Sequence, residues 1–126
     1  MATFTPSWTI GTTLHASTTV TNGSTAQDDV NLSTLGYYRI NGTIDIDIAS
    51  GSPAGNVTVE LFGSADGGTN IETVARQTFA IPFSATGNKK AGFVFDGNWV
   101  RVKITNSTGV TVTYVSKYSG LKQASA

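Results

Sequence analysis

Residues 38–48 alternate between two kinds of side chain with a period of two. The even positions are apolar or glycine, and the odd positions are polar: Tyr38, Ile40, Gly42, Ile44, Ile46 and Ile48 against Arg39, Asn41, Thr43, Asp45 and Asp47. Successive side chains of a β-strand point to opposite faces, so this pattern predicts a strand with one buried and one exposed face.

The same alternation recurs along the chain. Further strands are predicted over Leu14–Thr21, Val57–Leu61, Phe79–Phe83, Ala91–Phe95, Val100–Ile104 and Val110–Tyr114. Turns rich in Gly, Asn, Asp and Ser separate them, and no segment carries the apolar stripe of a helix. We therefore expect an all-β, single-domain antiparallel β-sandwich, jelly-roll-like, with about seven or eight strands. Pro82 lacks an N–H group, which places its strand at a sheet edge or a bulge.

The two ends differ from this central region. Residues 14–118 form the predicted sandwich, and residues 119–126 (SGLKQASA) are predicted to be a flexible C-terminal tail. Residues 1–13 are threonine-rich and predict an extended N-terminal arm. With Trp8 and Ile10 as apolar anchors, the arm can add a strand to a neighbour's sheet edge or cover its own sandwich.

Composition excludes several classes of partner and site. Among 126 residues, 8 Lys+Arg balance 8 Asp+Glu, so the chain lacks the basic surface expected of a nucleic-acid or membrane binder. There is no cysteine, which excludes disulfides, thiolate metal sites and a cysteine nucleophile. The first residues contain no basic segment followed by an apolar run, so we expect synthesis and folding in a cytoplasm.

Candidate catalytic and metal-binding groups each have a simpler interpretation. Asp45 and Asp47 share one strand face about 7 Å apart, a spacing open to a cation or to paired hydrolytic carboxylates, but also typical of a solvated face. His15 is the single histidine, and no nucleophile elbow accompanies it. Asp28 and Asp29, with Asn31, lack the spacing of a calcium loop and are interpreted as a surface loop. We expect no catalytic residue, metal or cofactor.

Aromatic residues are the stronger candidates for binding. Trp99 falls in the outward register beside Arg101, and Phe62 falls in the outward register of its own strand. Exposed rings of this kind can stack on sugars or anchor a subunit interface, and they can also pack beneath a covering segment. These three interpretations remain open from the sequence alone.

The stretch LFGSADGGTNIE raises a similar choice. Asp66 beside two glycines can form a cation-binding loop or a tight connection between strands. No other carboxylate occurs until Glu72, which leaves too few oxygen ligands for a dedicated cation site. A structural hairpin is therefore predicted, with a tip long enough to contact a neighbouring subunit.

Two segments, LFGSADGGTNIETVARQTFAIPFSATG and FVFDGNWVRVKITNSTGVTVTY, resemble small β-sandwich structural proteins of tailed bacteriophages. The shared features are the Ser-x-Asp-Gly-Gly-Thr connection and the Trp-Val-Arg-Val-x-Ile-Thr-Asn strand, found here from Trp99 to Asn106. The resemblance implies a non-enzymatic virion protein, a capsid decoration (cement) protein or a tail accessory protein, with no catalytic residues to transfer.

The resemblance further implies a homo-oligomer, with a trimer favoured, that binds and stabilises the lattice of the phage major capsid protein after synthesis in the host bacterium. The alternative is a carbohydrate-binding module or a receptor-binding tail or fibre accessory protein. The predicted interface residues are Trp8, Ile10, Phe62, Asp66, Trp99 and Arg101.

Overall fold

The computed structural model describes the backbone of residues 4–8 and 12–125, and the side chains of residues 18–34 and 36–120. Within this part of the chain there are nine strands and one short helix. Their bounds are β1 Phe4–Trp8, β2 Thr12–Val20, β3 Thr25–Asn31, α1 Leu32–Leu35, β4 Tyr37–Ile48, β5 Gly55–Gly63, β6 Gln77–Phe83, β7 Gly87–Asp96, β8 Trp99–Asn106 and β9 Val112–Ser125.

The strands form two antiparallel sheets. Sheet A has the order β2-β9-β4-β7, with β1 also paired to β9, and sheet B has the order β3-β8-β5-β6. Because β4 occupies one edge of β9, β1 and β2 follow each other along its opposite edge. From β2 onward the chain crosses between sheets at every connection except β5–β6, which is the winding of a jelly roll. The predicted all-β sandwich is confirmed.

The core lies between the inner faces of the two sheets. From Ile40 to Ile48 the even positions of β4 point inward, as the alternation predicts, and Ile40, Ile44 and Ile46 are fully buried. At the start of the strand the prediction is wrong, because the register shifts between Tyr37 and Arg39, so that Tyr37 is buried and Tyr38 exposed. The three isoleucines pack with inward residues of the facing sheet such as Val59 and Ile104. Burying each side chain of this size stabilises the fold by about 1.5–3 kcal/mol, so the inner faces hold the sheets together.

Two aromatic rings of sheet A lie flat on glycines. Phe93 is the cross-strand partner of Gly42, and a Cβ added at Gly42 would overlap its ring. A Cβ at Gly120 would lie 2.5 Å from the ring of Tyr37. Tyr37 in turn meets Tyr118 edge-on, with 6.1 Å between ring centroids. The glycine on the inner face of β4 is therefore a packing position for a ring.

The segment containing Asp28 and Asp29 is a strand, so the predicted surface loop is wrong. In β3 the side chains of Ala26, Asp28 and Val30 are half-buried while their neighbours are largely exposed. Asp28 interrupts the apolar set, and it is accommodated because the Tyr114 hydroxyl on β9 donates to it at 3.2 Å. The inward position of Asp28 interrupts the period-two alternation of apolar and polar residues, so the sequence pattern did not predict β3.

The first and last described segments of the chain, β1 and the end of β9, belong to sheet A. β1 pairs with β9 of the same chain, Phe4 opposite Ser125 and Trp8 opposite Leu121. β9 runs to Ser125, through most of the predicted tail, because β4 pairs with it as far as Lys122 and β1 pairs with residues 121–125. Pro82 lies in β6, an edge strand, as its missing N–H requires.

Asn106 joins two turns at one end of the sandwich. Its buried amide nitrogen donates to the carbonyl oxygens of Val20 (2.9 Å) and Val110 (2.7 Å). Its amide oxygen accepts from the backbone N–H (3.0 Å) and the hydroxyl (2.7 Å) of Thr108. One side chain thus makes four hydrogen bonds that tie the two turns together, and the Thr108 hydroxyl also donates to the Val110 carbonyl oxygen at 3.1 Å.

We predict that Gly42→Ala destabilises the protein by about 1–3 kcal/mol, because the new methyl group forces the Phe93 ring from its position. Gly92→Ala is the matched control on β7, since its Cβ would meet only the Gly42 carbonyl oxygen at 3.7 Å. It should be neutral or slightly stabilising. Urea denaturation of both variants measures the difference, and equal losses would contradict the packing role of Gly42.

We predict that Asn106→Ala lowers the free energy of unfolding by about 3 kcal/mol, because it removes four hydrogen bonds at a fully buried position. Ser107→Ala, at the adjacent exposed position, is the control and should stay within about 0.5 kcal/mol of the parent. Thermal or urea unfolding followed by circular dichroism gives both values. If Asn106→Ala lowered the free energy of unfolding by less than about 0.5 kcal/mol, the role of Asn106 in joining the two turns would be ruled out.

Candidate functional site

The β5–β6 loop, residues 64–76, is organised around a buried serine. Ser64 is 2% exposed, and its hydroxyl accepts from the backbone N–H of Gly68 at 2.9 Å. The same hydroxyl lies 2.7 Å from the carbonyl oxygen of Asn70 and 2.8 Å from Asp66 Oδ1. The first half of the loop is therefore folded back on its own base by side-chain hydrogen bonds.

Asp66 closes the tip of this loop. Its Oδ1 accepts from the backbone N–H of Asn70 at 2.8 Å, and its Oδ2 accepts from the Asn70 side chain at 2.6 Å. These hydrogen bonds to Asn70, with a further one to Ser64, lower the pKa of the Asp66 carboxyl below its ordinary value of 3.8. Both oxygens serve the loop itself, which agrees with a structural connection.

An ion pair holds the second half of the loop. Glu72 Oε1 accepts from the backbone N–H of Gly63 at 3.0 Å, and Glu72 Oε2 receives the Arg76 guanidinium at 2.7 Å. The guanidinium lowers the pKa of Glu72. Arg76 also donates to the carbonyl oxygen of Asp96 at 3.2 Å and lies 5.3 Å from the Phe95 ring centroid. The loop is thereby fastened to β5 and β7.

Trp99 lies beneath this loop, so of the three interpretations left open by the sequence, packing beneath a covering segment is the one that its ring adopts. It is 6% exposed, and a Cβ at Gly68 would lie 2.5 Å from its indole nitrogen. Gly68 has a φ of +97°, a conformation that favours glycine, so both backbone and space require it there. Phe62, in the outward register of β5, is 9% exposed. The loop covers the outer face of sheet B at this end, which the strand register alone does not reveal.

Arg101 binds within the same region. Its guanidinium donates to Asp29 in a bidentate pair, at 2.7 Å and 2.9 Å, and its Cζ lies 5.8 Å from the Trp99 ring centroid. The hydrogen bonds to Asp29 raise the pKa of the Arg101 guanidinium above its ordinary value. Strand pairing places Arg101 directly between Asp29 on β3 and Phe62 on β5. Arg101 thus lies beside Trp99 on β8, the strand between β3 and β5.

The structure brings four of the six predicted interface residues to one end of sheet B: Phe62, Asp66, Trp99 and Arg101. The backbone of Trp8 lies in β1 on sheet A, and its side chain is outside the described residues. Ile10 lies outside them altogether. Two of the four are buried by their own chain, which leaves the loop as the exposed element of this group.

The alternative chemical sites are not assembled. Asp45 contacts Lys90 at 3.7 Å and accepts from the Asn88 side chain, as on a solvated face. Asp28, Asp29 and Asn31 serve three separate contacts, Asn31 as the cap of α1. The side chain of His15 is outside the described residues. Across the described residues there is no group of three His, Cys, Asp or Glu placed to hold a metal ion.

Sequence reasoning missed the residues that shape the loop. Ser64 and Asn70 carry no distinctive pattern, because their roles depend on a buried hydroxyl and on one turn of backbone. Glu72 and Arg76 left a signal, an opposite-charge pair four residues apart in a non-helical segment. A pair spaced in this way outside a helix indicates a compact loop.

Comparison with known proteins assigns the chain to no family. No family model matches the chain, and no curated protein matches it in sequence. One similar solved structure comes from work reporting that Bacillus endospore appendages form a novel family of disulfide-linked pili. It is 15% identical, with a TM-score of 0.44 over 97% of this chain and 91% of the other. In the described residues, no helix is long and apolar enough to cross a membrane.

We predict that acid loosens the β5–β6 loop. The folded state lowers the pKa of Asp66 below 3.8 and of Glu72 below 4.5, so their stabilisation is complete above these values. It is lost as the pH falls through them toward the lower folded-state pKa values. In a Trp8→Phe background, Trp99 fluorescence should shift to longer wavelength only below pH 4.5.

The control for this titration is Asp66→Asn in the same background, which removes one of the two titrating groups. It should show a weaker pH dependence and a partly loosened loop at neutral pH. A fluorescence transition centred above pH 4.5 would contradict the assignment to these carboxyls.

Proposed function

We propose that this protein is a non-enzymatic structural component of a phage virion, a capsid decoration protein that binds and stabilises the lattice of the major capsid protein. The sequence resemblance to phage β-sandwich proteins motivates the proposal. The observation that carries it is the internally bonded β5–β6 loop, which covers one end of sheet B and holds an exposed apolar side chain.

The second half of the loop contains Val74. This side chain is 77% exposed, the highest value among the large exposed hydrophobic residues of the described chain. Ser64, Asp66, Glu72 and Arg76 hold the surrounding backbone in place through the contacts described above. A preorganised loop loses little conformational entropy when it binds, so its apolar contact contributes more fully to affinity.

The charged groups near this end are already paired. Arg39 pairs with Asp96, with 3.0 Å between Nη2 and Oδ2, in addition to the Arg76 and Arg101 pairs. Paired side chains offer little long-range attraction to a charged partner, and the formal net charge of the chain is zero. Binding is therefore proposed to depend on shape and apolar burial, as suits attachment to a protein shell.

The carbohydrate-binding alternative is weakened, because the two rings considered for stacking on sugars, Trp99 and Phe62, are buried. Stacking on a sugar needs an exposed ring face, and Trp99 and Phe62 are covered by their own chain. A groove of about 370 Å³ on the outer face of sheet A is lined by Thr43, Lys90, Lys117 and neighbouring residues. The one aromatic residue that borders it, Tyr118, is 7% exposed. We therefore retain the structural proposal.

We predict that Val74→Asp lowers the fraction of protein that sediments with empty shells of the major capsid protein from the same genome at least severalfold. The reason is that a carboxylate would have to be buried at the apolar contact. The matched control is Val94→Asp, which changes a valine 48% exposed on the outer face of sheet A. It should bind as the parent does.

Both variants should unfold at the parent's temperature, since both positions are exposed. No binding of the parent protein to shells would contradict the decoration function. Equal binding by parent and Val74→Asp would contradict the loop as the contact. A shift in melting temperature on adding oligosaccharides would favour the carbohydrate alternative.

A further inference from the structure

The first strand of the chain has a single strand partner. Within the described residues β1 pairs with β9 and with no other strand, in a register from Phe4 opposite Ser125 to Trp8 opposite Leu121. Pairing of β4 with β9 reaches Lys122, so the last three residues of β9 pair with β1 alone. β1 and the end of β9 thus form a two-stranded ribbon beyond β4.

The direction of the chain allows β1 to leave without disturbing the sandwich. β1 and β2 both run antiparallel to β9 along the same edge, and three residues, 9–11, connect them. Because β1 continues the direction of β2, its removal breaks no hairpin and no other strand pair. β2 remains paired with β9 from Thr12 to Val20.

If β1 left, the edge of β9 with which it pairs would best fit another copy of β1. Residues 121–125 would present unpaired backbone groups, which accept an extended segment. The segment whose register fits them is β1 itself, and every other copy of the chain carries it. A β1 from a second copy would make the same hydrogen bonds, so exchange costs little beyond the entropy of association.

We propose that β1 is exchanged between copies, so that β1 of one subunit pairs with residues 121–125 of β9 in its neighbour. Exchange in one direction around a ring closes a trimer or another cyclic oligomer. The proposal deepens the proposed function and rests on it in one respect. A capsid lattice holds the copies close together, and this high effective concentration favours exchange over closure within one copy.

Engineered cysteines test the exchange, because the natural chain has none. Thr5 and Ala124 are directly opposite in the β1–β9 pair. Single variants Thr5→Cys and Ala124→Cys are unfolded together, refolded as a mixture at high concentration and oxidised. We expect a disulfide-linked heterodimer at twice the 13.1 kDa monomer mass on a non-reducing gel. Ser7→Cys with Lys122→Cys provides a second opposed pair.

The matched control uses Asn41→Cys with Val94→Cys, exposed partners in the β4–β7 pair that exchange does not separate. This mixture should give only background cross-linking. The double variant Thr5→Cys/Ala124→Cys, refolded alone when dilute, should cross-link within one chain and so confirm the register. Heterodimer yields no higher than the control in both opposed pairs, with the double variant cross-linked internally, would overturn the exchange.

This test contains no capsid protein, so its result is separate from the sedimentation assay. If copies exchange β1 but do not bind shells, the exchange proposal is supported and the proposed decoration function is contradicted. Shell binding without exchange would retain the decoration function and show that β1 stays on its own β9.

Discussion

Hydrogen bonding along both edges of β9 is the constraint on which the rest of sheet A depends. β4 occupies one edge over residues 113–122, while β2 and then β1 occupy the other. This pairing orders the last residues of the chain as a strand, and it fixes where the inward side chains of β9 fall. Tyr114 therefore faces sheet B, where its hydroxyl reaches Asp28, and Tyr118 contacts the ring of Tyr37. Both tyrosines belong to the hydrophobic core.

Polar groups inside the sandwich are tolerated because each has a specific partner. Burial raises the pKa of Tyr114, and the nearby charge of Asp28 raises it further, so the hydroxyl stays protonated and donates across the sandwich. Asn106 is satisfied at both ends of its amide. Such pairs cost little when complete and much when one member is lost. They define which residues of the two sheets must face one another.

The alternation of side chains was sufficient to predict the sandwich, but not what covers it. Period-two patterns identified β4, β5, β7 and β8 because each has one apolar face. β3 escaped notice because Asp28 occupies an inward position, and its partner Tyr114 is 86 residues away. β1 has no pattern of its own and is ordered by β9. Such long-range pairings leave no mark in local sequence.

The candidate site shows the same limit. The turn residues of the β5–β6 connection were recognisable, and Asp66 was correctly interpreted as structural. The loop's fold depends on Ser64 and Glu72, whose partners are chosen by geometry rather than by spacing. Trp99 was placed on the outward face by its register, which left both exposure and packing beneath a covering segment open. The β5–β6 loop buries the ring, since register determines which face a side chain occupies but not what covers that face.

The side of the sandwich formed by β6 and β7 is protected against further strand pairing. Gln77 donates to the carbonyl oxygen of Val94 at 2.6 Å, and Arg76 donates to that of Asp96. Lys89 donates to the carbonyl oxygen of Pro82, a residue with no N–H to offer. Side chains thus occupy backbone acceptors on both edge strands, and lysines on β7 add charge. Assembly by main-chain hydrogen bonds is disfavoured on this side. Pairing of main chains between copies, as proposed for β1, is thereby directed to the opposite edge of sheet A, where β1 and β2 lie along β9.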